Sequence, residues 1–387
     1  MNTLPKKLQQ KLDDRKADNA LRELGKQQNI VDFSSNDYLG FSKSENIFNK
    51  AHQFLLAQNI KQNGATGSRL LSGNHKLYDI TETMLCEFHN SEAALVFNSG
   101  YDANIGFFSS VPQRGDIILY DEYIHASIRD GISMSNAKAY KFKHNDLGDL
   151  EKKCQTERIR SPKDSTIYII TESVFSMDGD TPDLAAILQI SKKYNANLVI
   201  DEAHSIGVFG NNSAGSMQEL ELEHDVFARI ITFGKALGCH GAAILGSASL
   251  KQYLVNFSRS FIYTTALPPH SLATIQTAYN ELMVTNENKK LLRNIQFLKS
   301  EIKRLSLQNI FIESNSAIQC CVISGNDKVK LIANKLQGNG FDVKPILSPT
   351  VSINQERLRF CLHSYNSEKE IAEVIQLLST FVKISYL

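Results

Sequence analysis

What this chain lacks narrows its function first. Its 387 residues carry 42 Lys and Arg against 41 Asp and Glu, with no block of like charge. Nothing therefore draws it over long range to nucleic acid or a membrane surface, and the balance favours a small-molecule enzyme. Six cysteines, at 86, 154, 239, 320, 321 and 361, form no CxxC pair. Buried, reduced thiols are the expectation, with the adjacent Cys320 and Cys321 on opposite faces of a strand. No apolar run approaches the roughly 18 residues that span a bilayer. The N-terminus has no apolar signal core, and its Lys-rich stretch over 4–24 also holds Asp13, Asp14, Asp18 and Glu23. That acid content argues against an organellar transit peptide, so the expected address is the cytoplasm. No GxGxxG follows an apolar run, and Gly64 to Gly67 has neither the spacing nor the preceding strand of a dinucleotide site. No HExxH or clustered ligand spacing supports metal-dependent hydrolysis. There is no internal repeat.

A chain of this length exceeds what one hydrophobic core usually serves, so a large and a smaller domain are expected. The stretch 4–24 reads as an amphipathic helix with Leu8, Leu12 and Leu21 among its apolar positions. The short run Ile30 to Phe33 then opens into Ser34-Ser35-Asn36-Asp37-Tyr38-Leu39-Gly40. From about 75 to 250 short apolar runs alternate with helix-length segments such as 182–194. The runs are 94–97, 117–119, 167–170, 198–200, 230–232 and 242–245. Runs with few polar interruptions suit strands buried on both faces, and their alternation with helices predicts an α/β fold with a mostly parallel sheet. Beyond 275 the texture changes. A helical stretch over 272–305 precedes strands at 318–323, 343–346 and 357–362 and helices over 328–337 and 367–382. Ser367 with Glu370 predicts a capping box at the last helix. The expected division is an N-terminal arm over 1–50, a large α/β domain over 51–275 and a smaller α+β domain over 276–387.

In open α/β sheets, ligands bind beyond the carboxyl ends of the strands. Five such ends carry chemistry here. Asn98-Ser99-Gly100-Tyr101 leads into a helix whose N–H groups suit a phosphate. Asp121 and His125 follow the second run, and Thr171 to Asp180, with Ser176, follow the next. Asp201-Glu202-Ala203-His204 and Phe233-Gly234-Lys235 complete the set. Singly, each has an ordinary structural explanation as a turn, a cap or a solvated charge. Together they meet the needs of pyridoxal phosphate (PLP): a lysine amine for a Schiff base, a carboxylate for the pyridinium nitrogen and a helix-terminal phosphate site. Lys235, Asp201 and the turn at Gly100 would fill those roles. Thr232 would donate to the phosphate, His125 would stack on the ring, and His204 would bond the ring hydroxyl.

With these residues in view, the chain resembles the α-oxoamine synthases, a branch of the aspartate-aminotransferase-like PLP enzymes. The resemblance rests on FSSNDYLGFS (33–42), GATGSRLLSGNHKLYDITE (64–82), ALVFNSGYDANIG (94–106), DEYIHASIRDG (121–131), ESVFSMDGD (172–180), VIDEAHSIGVFG (199–210), TFGKALGCHGAAI (232–244), FIYTTALPP (261–269) and PTV with RLRFCLHS (349–364). It implies fold type I, a large, mostly parallel sheet domain plus a smaller α+β domain. It also implies that Lys235 carries the cofactor, Asp201 holds its ring nitrogen and His125 stacks. Gly100, Tyr101, Ser176, His204 and Thr232 become cofactor contacts. Arg359 becomes the holder of the amino-acid carboxylate, and Asn36, Thr350 and Arg22 become substrate contacts. Arg22 lies in LDDRKADNALR (12–22), which resembles the branch members that use alanine. The family is dimeric with sites at the subunit interface, so Thr264 or Thr265 would reach the partner's phosphate. The segment before Phe33 is shorter than the family pattern, and Cys239 and His240 stand where small residues are usual.

The implied reaction is decarboxylative condensation of L-alanine with a pimeloyl thioester, carried on coenzyme A or acyl-carrier protein. The products are 8-amino-7-oxononanoate, carbon dioxide and the free thiol. The alternatives are a sister activity joining glycine to an acetyl thioester and, from another class, a non-catalytic partner subunit of the same fold. Retention of Lys235, Asp201 and His204 speaks against the latter.

Overall fold

The computed structural model describes every residue except 1–3, 23, 26–28, 163 and 385–387. The chain divides into two compact units, one of Asn36–Ser176 with Thr181–Asn288, the other of Met1–Ser35, Met177–Asp180 and Lys289–Leu387. Among the described residues no helix is long and apolar enough to cross a membrane.

The larger unit is built on a seven-stranded sheet. From edge to edge its strands are Ala93–Phe97, Ala242–Gly246, Ala228–Thr232, Asn197–Asp201, Ile167–Glu172, Ile117–Asp121 and Lys138–Phe142. Ala242–Gly246 runs antiparallel to both neighbours, and every other pairing is parallel. The apolar runs read from the sequence are these strands. Their side chains alternate between two cores: Ile118, Ile170, Val199 and Ile230 pack with Phe107 and Ile128 on one face. Ile117, Leu119, Ile169 and Ile200 pack with Leu150 and Leu188 on the other. A strand with both faces buried needs no polar alternate positions, which is why these runs are continuous. Lys138–Phe142 has no such run. It is the edge strand, buried only at Phe142, and its lysines mark an edge that discourages further pairing. The helix expected over 182–194 spans Leu184–Lys193, its first turn capped by the Asp183 carboxylate accepting from the Ala186 N–H at 2.9 Å.

The smaller unit is α+β. A three-stranded antiparallel sheet orders Lys344–Ile346, Arg357–Cys361 and Ile318–Val322, and Val31–Asp32 pairs in parallel with Phe341–Asp342. The capping box is present: the Ser367 N–H donates to Glu370 Oε2 at 2.7 Å, and the Glu370 N–H to Ser367 Oγ at 3.3 Å. Cys320 and Cys321 are buried, and all six cysteines are free thiols.

Two helical expectations need correction. The N-terminal helix is Lys6–Ala17, not 4–24, and it buries no residue, leaving Leu8 and Leu12 exposed. It closes where the Ala20 N–H reaches back to the Arg15 carbonyl and Asn19 turns to φ 49°. Glu23 lies outside the described residues. The stretch 272–305 is two helices, Pro269–Leu282 and Glu287–Arg304. Thr285 Oγ1 accepts from the Glu287 N–H at 3.2 Å and caps the second.

Candidate active site

Because six of the seven strands of the large sheet point the same way, all but Ala242–Gly246, their carboxyl ends open on one side. A cavity of about 260 Å³ lies there, lined by Gly100, Tyr101, His125, Asp201, His204, Thr232 and Lys235 among others. Each of these was singled out in the sequence. Asn36 joins the lining too.

Local structure explains each placement. The helix Gly100–Ser110 starts at Ser99, whose Oγ accepts from the Asp102 N–H at 3.1 Å. The N–H groups of Gly100 and Tyr101 have no acceptor within the helix and carry its positive dipole end. Glycine is required at 100 by proximity. A Cβ there would lie 2.7 Å from Thr232 Cγ2. Lys235 is half-buried on a tight turn after Ala228–Thr232, closed by the Gly238 N–H on the Lys235 carbonyl at 2.8 Å. Gly238 has φ 61°, and a Cβ there would strike the Ser42 backbone.

Asp201, at its strand's end, is 6% exposed. Its Oδ1 accepts from the Ala203 N–H at 2.9 Å and its Oδ2 from Asn104 Nδ2 at 3.0 Å. Asn104 Nδ2 also donates to Ser127 Oγ at 3.0 Å, and Ser127 Oγ lies 2.7 Å from His125 Nδ1. His204 Nδ1 meets the buried Tyr38 hydroxyl at 2.7 Å. Glu172 pairs with Asp201 across the sheet and accepts the backbone N–H of His125. Burial first, and the Asp201 charge second, push the Glu172 carboxyl well above the usual range. Burial also pushes His125 down, with the Lys235 charge adding to it against the pull of Asp201.

Asn104, Ser127, Tyr38 and Glu172 were given no role in the sequence. Asn104 had a usable signal, since it lies one helical turn past Gly100 on the same face. Ser176 is not among the cavity-lining residues. Thr264 Oγ1 and the Thr265 carbonyl both accept from Asn98 Nδ2, at 3.0 and 2.7 Å, beside a second void just large enough for one water. Arg22, Thr350 and Arg359 belong to the smaller unit. There Arg22 Nη2 donates weakly to Thr350 Oγ1 at 3.4 Å, and Arg359 Nη1 approaches Cys361 Sγ at 2.7 Å.

The donor set fits a ligand with an anionic end and a protonated ring. The helix terminus and Thr232 can take the anion, Asp201 can accept from a ring N–H, and His125 offers a flat face. Residues 28–378 match the family model for aminotransferase class I and II. The chain is 38% identical over 370 residues to an 8-amino-7-oxononanoate synthase of Emericella nidulans, covering 91% of this chain and 89% of the relative. Among solved structures it is similar to an SPT holding a PLP internal aldimine, with TM-score 0.84, 26% identity and 91% and 87% of the two chains covered. It is also similar to 8-amino-7-oxononanoate synthase from Francisella tularensis, with TM-score 0.78, 30% identity and 92% and 99% covered.

Proposed function

The chain belongs to the class I and II aminotransferase family, and from that membership we propose that it is a pyridoxal-phosphate-dependent acyltransferase condensing L-alanine with a pimeloyl thioester. The products are 8-amino-7-oxononanoate, carbon dioxide and the free thiol of coenzyme A or acyl-carrier protein. The relatives' names support the reaction. The observation that carries it is the meeting of Lys235, Asp201, His125 and the Gly100 helix terminus on one cavity.

When bound, the cofactor supplies an electron sink for the bond changes at the alanine α-carbon. Lys235 would hold it covalently through a Schiff base, and the same amine, when free, would take the proton from the alanine α-carbon. Asp201 would keep a proton on the ring nitrogen, while Gly100, Tyr101 and Thr232 would anchor the phosphate. His204, held by the Tyr38 hydroxyl, would bond the ring hydroxyl, and Ser176 would add a further cofactor contact from outside the cavity lining. A bond then forms between the alanine α-carbon and the thioester carbonyl carbon, and His125 donates to the developing oxyanion. The thiol leaves, the alanine carboxylate departs as carbon dioxide, and a proton returns to the α-carbon. Arg359 holds the alanine carboxylate beforehand, and Asn36, Thr350 and Arg22 contact substrate. A homodimer in the cytoplasm, with Thr264 or Thr265 reaching the partner's phosphate, completes the reading, as does the domain division at about 50 and 275.

Borohydride reduction of the PLP-loaded protein followed by peptide mass spectrometry is the test. The label is expected on Lys235 and lost in Lys235→Ala; a label retained in that variant rejects the assignment. Product mass spectrometry with labelled alanine or glycine and a panel of acyl thioesters then decides the substrates. A glycine and acetyl preference would overturn the alanine–pimeloyl reading.

A further inference from the structure

His125 begins its helix, Ala126–Ser133, in an unusual way. The N-cap is normally a small side chain with an oxygen acceptor. Here the imidazole Nδ1 itself accepts from the Ser127 N–H at 3.2 Å. A nitrogen that caps in this way carries no proton.

Ser127 Oγ, 2.7 Å from the same Nδ1, gives a second reason. Asn104 Nδ2 has two protons, and it lies 3.0 Å from both Asp201 Oδ2 and Ser127 Oγ. The amide cannot sit the other way round, since that would set its carbonyl oxygen against a carboxylate. Ser127 Oγ therefore accepts from Asn104, and its own proton is directed to His125 Nδ1. The cost of this arrangement is visible. Asn104 Oδ1 is buried without a hydrogen-bond partner among the described residues, which a purely structural asparagine would rarely tolerate.

We infer that Asn104 and Ser127 are positioning residues that hold His125 as the neutral Nε2–H tautomer. Asn104, fixed by donating one proton to the Asp201 carboxylate, donates the other to Ser127 Oγ, which in turn donates to the ring. Two donors occupy Nδ1, so protonating it would set N–H against N–H and O–H. Nε2–H is the ring's remaining polar group, on a residue lining the cavity. On the functional reading above, His125 then serves as a hydrogen-bond donor to substrate oxygen, and its Nε2 is not a base. The charges facing the ring are Asp201, Asp130 and Lys235, with Glu172 holding its backbone N–H.

The test is long-range proton–nitrogen NMR on the full chain with ¹⁵N-labelled histidine, recorded with and without PLP, His125 being assigned from its loss in His125→Asn. The wild type is expected to show Nε2 protonated and Nδ1 bare. In Ser127→Ala the His125 protonation midpoint should move up, because one opposing donor is gone. In Asn104→Leu it should also move up, because the hydroxyl is free to turn and accept. Ser127→Thr, which keeps the hydroxyl, should restore the wild-type midpoint. A protonated Nδ1 in the wild type, or a midpoint unmoved in Ser127→Ala, overturns the inference. The measurement on cofactor-free protein is independent of the functional reading, which fails instead if Lys235 takes no borohydride label.

Discussion

Asp201 and Glu202 are consecutive, both buried, and set in opposite kinds of surroundings. Asp201 faces the cavity and takes neutral donors, the Asn104 amide and the Ala203 N–H. Glu202 faces the protein interior and is paired with Arg229, whose Nε lies 2.6 Å from Oε2. The Met217 N–H and Ser205 hydroxyl also donate to Glu202 Oε1, at 3.0 and 3.2 Å. Arg229 in turn donates to the carbonyls of His89 and Ala214. The interior cluster brings its own countercharge. The cavity cluster has neutral donors on its central carboxylate and, on the proposed function, would receive a cationic ring from a ligand. A charge whose partner is built in is committed to that partner, so that losing one member alone is costly, whereas one served by neutral dipoles is available for chemistry.

That contrast breaks most sharply under mutation. Glu202→Ala would leave the Arg229 charge buried and unpaired, costing about 3–5 kcal/mol in denaturant unfolding. Turnover per cofactor-loaded molecule should persist. Asp201→Asn should do the reverse, costing the fold only about 0.5–1.5 kcal/mol, the worth of one hydrogen bond, and cutting turnover by at least about 100-fold. If Asp201→Asn proved the destabilising change and Glu202→Ala the inactive one, the division between the two clusters would be wrong. The double variant Glu202→Met with Arg229→Met should recover much of the lost stability, since no charge is then stranded.

The interior cluster also has a pH signature. His89 is fully buried, with Nε2 at 2.8 Å from the Tyr279 hydroxyl. Burial first, and the Arg229 charge second, hold it well below the ordinary value of 6.5. The unfolded chain therefore binds a proton that the folded chain refuses. Its contribution to stability is complete above pH 6.5 and is lost as pH falls from there toward the depressed folded value. Between pH 6.5 and 5.5 the loss should reach about 1 kcal/mol. Urea titrations at pH 6.5 and 5.5 should show a loss smaller by about 1 kcal/mol in His89→Leu than in the wild type. An equal pH loss in both would remove His89 from the account.

How far the sequence reaches follows from the same division. Strands buried on both faces announce themselves as apolar runs, so the central sheet was readable, and so were the reactive residues placed just beyond its strand ends. Lys138–Phe142 was not, because an edge strand keeps its lysines. The break between Leu282 and Glu287 was hidden within a continuous helical pattern that Thr285 interrupts by capping. Asn104 and Ser127 were missed for a different reason. Their significance is a relation across 97 and 23 positions in the chain, to Asp201 and to each other, which appears only once the helix lies against the strand end.

The smallest effect tests the cavity side by itself. Alanine is a better helix former than glycine, so at the helical first turn Gly100→Ala should favour the helix by itself. The penalty comes from Thr232 Cγ2, 2.7 Å from the new Cβ. Thr232 is β-branched and stiff at χ1, so it cannot easily swing its methyl aside without also moving the hydroxyl proposed to hold the phosphate. Crowding of this kind costs about 1–2 kcal/mol, which at the phosphate end corresponds to about tenfold weaker cofactor binding. Unfolding of the cofactor-free chain should change far less. Thr232→Ser removes the methyl, keeps the hydroxyl, and should return affinity toward wild type in the Gly100→Ala background. Fluorescence titration with PLP measures each step. If Gly100→Ala weakened the fold and cofactor affinity equally, and Thr232→Ser restored neither, the helix terminus would belong with the interior cluster, as a packing feature.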